Sequence, residues 1–361
     1  MARLYGAGRV LLAAGLLAVG FGLAGVAPAQ TTKKDAAKAP DRFRQVVPIN
    51  TVDGVNLVGT FYPSTNADRM GKDSPCVILL HKYGSDRSKG DWDTLARQLQ
   101  GKGFNVVSFD FRGHGESRSV DPNFWKVAVN NDLVTHRPGG DRSKIDVKDF
   151  KPGYLPWLVN DILAVRKFLE VKNDSGEVSV NSLFLIGAHE GASLGMLFTA
   201  TEWNRTYTTG FTALQTAGVQ HLGGQDIAGC VWLSLVQRPN NISFDINAWA
   251  RNPMMRERTP FYLIYGERDR GAAQTAEGVF NILTTGRQKN RLTQRYDVKG
   301  TDLAGQALLG QQALGVDTKI IDFMEKVLGD RKAIPWGVVD HDKNPLALVP
   351  ALRTYGFSKV P

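Results

Sequence analysis

The chain has 361 residues, 42% of them hydrophobic and 22% charged, with 38 Gly and only two Cys. This is an ordinary globular composition; two cysteines exclude a disulfide-stapled scaffold, and no Cys/His cluster has zinc-site spacing. The formal net charge is +9, but the basic residues are spread out, with no block of five like charges and no aromatic-interleaved basic stripe, which argues against nucleic acid as a partner.

Residues 1–29 read as an export signal. Arg3 and Arg9 give a positive start, Val10 to Val26 is apolar and uncharged, and Ala27-Pro28-Ala29 offers the small residues that a signal peptidase reads. Cleavage after Ala29 predicts an exported protein, periplasmic or secreted, with no stable membrane insertion afterwards. The alternative is a retained anchor, for which Gly15, Gly20, Gly22 and Gly25 make a poor permanent helix. No cysteine follows the cut, so no lipid anchor is expected. Removing the segment takes two arginines and no acid, which lowers the net charge to +7. Residues 30–44 are polar and lysine-rich without apolar periodicity, as in a flexible linker.

From residue 45 short apolar strands alternate with amphipathic helices. Gln45–Asn50 and Val55–Tyr62 flank Thr51-Val52-Asp53-Gly54, a hairpin signal. Cys76–Leu80 is a continuous apolar run of the kind buried on both faces. Trp92, Leu95, Ala96 and Leu99 recur at helical spacing, ended by Gly101 and Gly103. Asn105–Phe109 is the next strand. Ser119–Phe150 is one long polar insertion with scattered aromatics, read as a cap or rim. Leu155, Leu158, Ile162, Val165 and Leu169 mark a helix; Leu183–Ile186, Cys230–Leu235, Phe261–Tyr265 and Arg291–Val298 mark strands. Ile320, Phe323, Met324, Val327 and Leu328 mark a last helix closed by Gly329, and residues 331–361 form a tail. There is no internal repeat and no sign of a second core, so residues 45–330 are expected to be one domain. Alternating strands and helices imply a doubly wound, mostly parallel sheet with ligands at the carboxyl ends of its strands.

Four segments in order carry a resemblance. They are Leu79-Leu80-His81-Lys82-Tyr83-Gly84, Asp110-Phe111-Arg112-Gly113-His114-Gly115-Glu116-Ser117, Gly187-Ala188-His189-Glu190-Gly191 and Tyr265-Gly266-Glu267-Arg268-Asp269. The order resembles the α/β-hydrolase superfamily, with its esterases, dienelactone hydrolases and serine aminopeptidases. The four correspond to the oxyanion-hole segment, the D-x-R-G-x-G-x-S turn, the G-x-S-x-G nucleophile elbow and the strand-end acid. The resemblance implies an α/β fold with helices on both faces of the sheet and one cap-like insertion.

The departures decide the functional expectation. The elbow keeps Gly187 and Gly191 but centres on His189 instead of Ser, Cys or Asp. Asp269 fits the acid, yet Lys299-Gly300-Thr301-Asp302-Leu303-Ala304-Gly305 holds no histidine where the family's histidine belongs, and His341 falls beyond the last helix. Lys82 stands where the family usually has glycine. Two of the three members of a serine-type triad are therefore lost.

His189 can be read as a nucleophile, as a ligand contact, or as the tip of a degenerate elbow kept because the fold needs its shape. Ser193 lies one helical turn on, and is read as a small packing residue in preference to a dyad partner. The backbone amide of Glu190 is the natural anion donor at a helix N-terminus, while its carboxylate also suits the helix dipole. Lys82 and Tyr83 either line a pocket mouth or belong to a solvated loop. His189, Asp269 and Asp302 are too thin a set for a metal. His81, Asp110, Arg112 and His114 resemble the family's structural ties; His136 and His221 are isolated. Cys76 and Cys230 are expected on strands two spacings apart, too far for a disulfide, hence two buried free thiols.

The resulting expectation is an exported hydrolase-like protein that is non-catalytic but keeps a pocket formed by Lys82, Tyr83, His189, Glu190 and Asp269, without cofactor or metal. The ligand would be a small molecule, a glycan or a peptide. The alternatives are an active hydrolase of esters or peptides with a non-standard site at the elbow, and an interaction protein working through its insertion and tail.

Overall fold

The computed structural model describes residues 43–136, 139–209, 219–286, 289–332, 334 and 336–339. The expected signal segment, the linker up to residue 42, His341 and the tail beyond 339 lie outside the described residues. In chain order the first strands and helices are β1 (Gln45–Asn50), β2 (Val55–Tyr62), β3 (Pro75–Leu80), α1 (Trp92–Gly101), β4 (Asn105–Phe109) and β5 (Ser119–Val120). Next come α2 (Ala128–Leu133), α3 (Val159–Asp174), β6 (Ser179–Ala188), α4 (Glu190–Glu202), β7 (Thr206–Thr209) and β8 (Val219–Leu222). The last are β9 (Ile227–Leu233), α5 (Ile246–Ala250), α6 (Pro253–Arg258), β10 (Phe261–Gly266), α7 (Arg270–Thr284), β11 (Gln294–Val298) and α8 (Val316–Asp330).

The main sheet runs β1-β2-β4-β3-β6-β9-β10-β11, with β5 attached to β2, and β7 pairs β8 apart from it. From β4 to β11 every pairing is parallel; β2 is antiparallel to both β1 and β4. The side chains of β3 explain the unbroken apolar run. Cys76, Ile78 and Leu80 enter one core with α3, α4 and α7, while Val77 and Leu79 enter a second core with α1 and α8. A strand covered on both faces has no wet side to show as alternation. Helices therefore cover both faces, and the carboxyl ends of β3, β6, β9, β10 and β11 share one edge.

Some boundaries differ from the sequence reading. The stripe beginning at Leu155 starts as a 3-10 stretch, Pro152–Leu158, because Pro152 and Pro156 cannot supply α-helical amide donors; the α-helix begins at Val159. Gly329 does not close the last helix, which continues to Asp330, since Gly329 keeps a helical backbone without positive φ. Cys76 is the second residue of β3 and Cys230 is the fourth of β9, so neither opens its strand.

The 119–150 insertion is built into the fold. Phe124, Leu133, Val134 and Ile145 are buried in the same core as the sheet, and Val134 bridges Phe150. A buried polar network pins it. Arg112 donates to Asp53 and Asp161, Asn130 donates to Asp53, and the Tyr154 hydroxyl joins Arg112 to Asn130. Burial works to raise the Asp53 pKa, but the Arg112 guanidinium outweighs it and holds the carboxyl well below the usual carboxylate range. Beyond α8 the described tail residues lie against the domain: Trp336 Nε1 donates to Val178 O and Val339 N to Asp174 Oδ1. Among the described residues, no helix is long and apolar enough to cross a membrane.

Candidate functional site

The elbow forms where the two glycines require it. A Cβ on Gly187 would lie 2.8 Å from the Ala192 backbone, and one on Gly191 would lie 2.4 Å from His81 O. Only glycine lets β6 turn this sharply into α4 beneath the loop that follows β3. Between them His189 takes φ 50° and ψ −118°, a conformation a side-chain-bearing residue adopts only when its surroundings impose it. His189 N donates to Leu233 O and its carbonyl accepts from Ser193 N, which fixes the turn from both sides. The elbow thus retains its strained geometry with an imidazole at the tip.

The tip does not project into free space. The ring packs on the Cα of Gly305, where an added Cβ would sit 2.1 Å from His189 Cδ2 and 2.4 Å from Nε2. Gly305 belongs to the loop after β11, the loop expected to carry a histidine. It is anchored there by its amide, which donates to Ser234 Oγ at 2.8 Å. Ser234 is buried just past β9 at φ 53°, with its own amide on Ile264 O. The space facing the elbow is therefore occupied by a backbone segment, and the ring of His189 makes no hydrogen bond among the described residues.

The loop after β3 is closed in the same way. Its three successive amides at residues 82, 83 and 84 all end on side chains: Lys82 N on Gln306 Oε1, Tyr83 N on Glu190 Oε2 and Gly84 N on His114 Nε2. In this fold an oxyanion hole pairs an amide from that loop with the amide of the residue after the elbow tip, here Glu190. The Glu190 carboxylate instead brings its own negative charge to the Tyr83 amide. Burial, with that carboxylate beside it, also pushes the Tyr83 phenol up to about 12. Gln306 is held from several sides, donating to Ser85 Oγ and Lys89 O while accepting from Lys82 and Trp92.

Asp269 lies at the end of β10, half exposed, and caps α7 by accepting from Ala272 N at 3.2 Å. It has no hydrogen bond to His189 among the described residues. The structure thus brings Tyr83 and Glu190 together, lays His189 against Gly305, and leaves Asp269 in a helix-capping role. The Lys82 side chain is exposed and forms no ion pair among the described residues. Ser193 is buried, its hydroxyl donating to the backbone carbonyls of Val236 and His189 and making no dyad with the ring. Asp302 is exposed, and among the described residues no group of three or more His, Cys, Asp or Glu is placed to hold a metal ion.

The second motif, with His81 of the first, is tied into the fold by hydrogen bonds. Asp110 accepts from the Arg87 amide and pairs with its guanidinium, and Ser117 Oγ accepts from Val58 N. His81 Nδ1 donates to Lys82 O and its Nε2 accepts from Phe111 N; His114 Nδ1 donates to Arg112 O. Burial pushes both imidazoles down to about 4, the nearby His81 adding to the effect on His114. His136 lies tilted against Trp125, and His221 bonds Asp226. Cys76 and Cys230 are buried free thiols on β3 and β9, which flank β6.

Sequence reasoning missed the side-chain roles of Gln306 and Glu190 and the place of Ser234. Gln306 lies 224 residues from the amide it accepts and belongs to no motif. The one available signal was Glu190 itself, an acid directly after the elbow centre.

No protein-family model matches the chain, and no curated protein sequence does. Solved structures do. An esterase of Pyrococcus furiosus superposes with a TM-score of 0.50 at 16% identity, covering 78% of this chain and 90% of that one. A highly thermostable carboxyl esterase from Bacillus coagulans gives 0.48 at 15% identity, covering 79% and 99%. With the strand order and the elbow above, the Pyrococcus likeness establishes that the chain has the α/β-hydrolase fold.

Proposed function

We propose that this protein is a hydrolase-fold protein without hydrolytic activity, exported, whose elbow region serves to recognise a ligand. The observation that carries the reading is the contact between the Tyr83 amide and the Glu190 carboxylate. A tetrahedral intermediate needs hydrogen-bond donors facing its developing negative charge; here a carboxylate already holds one of them and would repel that charge. The His189 ring packed on Gly305, and the absence of a bond from Asp269 to it, support the same conclusion: among the described residues no side chain orients the imidazole as a nucleophile or a base. The exposed Lys82 and the part-buried Tyr83, on the loop after β3, are the groups we propose a small molecule, a glycan or a peptide would meet.

An activity-directed reagent tests this. Incubation with an alkyl fluorophosphonate, followed by intact-mass measurement, should give no adduct on the folded protein. A stoichiometric adduct mapped to His189 would overturn the proposal. The strained backbone at His189 favours a second reading, a histidine-based hydrolase, because strain of this kind is costly to retain without use. The same labelling separates the two.

A further inference from the structure

A concave region lies at the end of the sheet opposite the elbow, where β9 and β10 begin and α8 ends. It is a cleft of about 660 Å³, within the size range of small-molecule sites. Trp203, Pro260 and Leu292 give it an apolar wall, and Arg258, Arg331 and Lys332 line it with cationic side chains.

Arg331 is the unusual member. It donates Nη1 to Ile227 O at 3.3 Å and Nη2 to Asn181 O at 3.0 Å and to Gln225 O, all backbone carbonyls. Its Nε is buried with no hydrogen-bond partner. Among the described residues no carboxylate lies within ion-pair distance of Arg331, Arg258 or Lys332. Glu257 and Asp330 also line the cleft but are exposed. Asp226, the acid whose field reaches Arg331, is already bound by Arg166, Tyr207 and His221. Burial consequently lowers the Arg331 pKa. A part-buried guanidinium hydrogen-bonded only to backbone carbonyls, with no carboxylate of its own in contact, is an incomplete electrostatic arrangement. The other buried arginines differ: Arg112 and Arg166 are each surrounded by carboxylates.

We propose that this cleft binds a small organic anion, a carboxylate or phosphate group on an apolar body, with Arg331 supplying the inner positive charge and Arg258 and Lys332 the outer. The anion completes the charge balance that the chain leaves open, and the apolar body covers Trp203 and Leu292. The site is separate from the elbow and does not depend on whether the elbow is catalytic.

Calorimetric titration of the full mature chain with naphthalene-2-carboxylate, naphthalene-2-carboxamide and inorganic phosphate tests it. The carboxylate should bind saturably and more weakly as salt rises, and the neutral amide at least about tenfold more weakly. Leu292→Trp, which fills the cleft and leaves the charges, and Arg331→Gln should each cost at least about tenfold in affinity. Arg331 also ties strand ends together. If Arg331→Gln does not fold, the exposed pair Arg258→Gln with Lys332→Gln carries the test, with a loss of roughly threefold or more and a flatter salt dependence. Phosphate binding alone would overturn the apolar-body half of the proposal. No saturable binding, equal binding of carboxylate and amide, or an affinity untouched by Leu292→Trp would overturn it entirely.

Discussion

Replacing Gly305 with alanine probes the contact on which the description of the elbow rests. The new methyl would stand 2.1 Å from His189 Cδ2 and 2.4 Å from Nε2, at a backbone φ of 56°. Two costs follow. The left-handed conformation costs a non-glycine residue roughly 1–2 kcal/mol, and forcing the ring or the backbone aside costs roughly 1–3 kcal/mol more. Gly305→Ala should therefore destabilise the protein by about 2–5 kcal/mol. In a His189→Ala background only the backbone part remains, about 1–2 kcal/mol. Urea unfolding of the wild type, both single variants and the double variant gives the coupling energy, expected to be at least about 1 kcal/mol. A coupling within about 0.5 kcal/mol of zero would mean that the ring swings clear at no cost. The reasoning that pins the elbow tip would then be wrong.

Three further outcomes follow from the buried polar groups. His81 and His114 have pKa values lowered from 6.5 to about 4, so the unfolded chain binds more protons between those limits. Their contribution is present in full above pH 6.5 and is lost as pH falls towards 4 and below, on the order of 3 kcal/mol per ring; the decline in unfolding free energy across that range should be shallower in His114→Gln, and an unchanged slope would contradict the assignment. Arg112→Met strands Asp53 and Asp161 without a counter-charge and should cost roughly 3–5 kcal/mol in a denaturant titration, whereas a loss under about 1 kcal/mol would show the network to be dispensable. Burial pushes the Cys230 thiol up to about 12 and raises that of Cys76 as well, so neither should react with a disulfide reagent at pH 8 until denaturant is added; rapid native labelling of either would refute their burial.

Much of the fold was legible because each buried strand must be covered on both faces. Continuous runs such as Cys76–Leu80 and Asn105–Phe109 announced themselves, and the helix at Trp92 showed its apolar stripe. Legibility failed where burial was polar or local rules competed. The start of β6 carries Ser179 and Asn181, and their polarity hid strand residues that the structure nevertheless buries. The helix α7 is not among the elements the sequence marks, although Asp269 is a good N-cap, because the family resemblance assigns that aspartate to the acid. At the site, the glycines of the elbow and the missing histidine were visible in the sequence. The contacts that surround the elbow were not, since Gln306 on Lys82 and Glu190 on Tyr83 join distant segments, which only the folded chain brings together.

The most direct measurement is steady-state hydrolysis of short-chain nitrophenyl esters by the protein from Gln30 onward, with His189→Ala and Asp269→Ala prepared alongside. The account predicts no saturable turnover by the wild type above that of His189→Ala. Saturable turnover abolished in both variants would contradict it, and would establish a working site built on the histidine at the elbow.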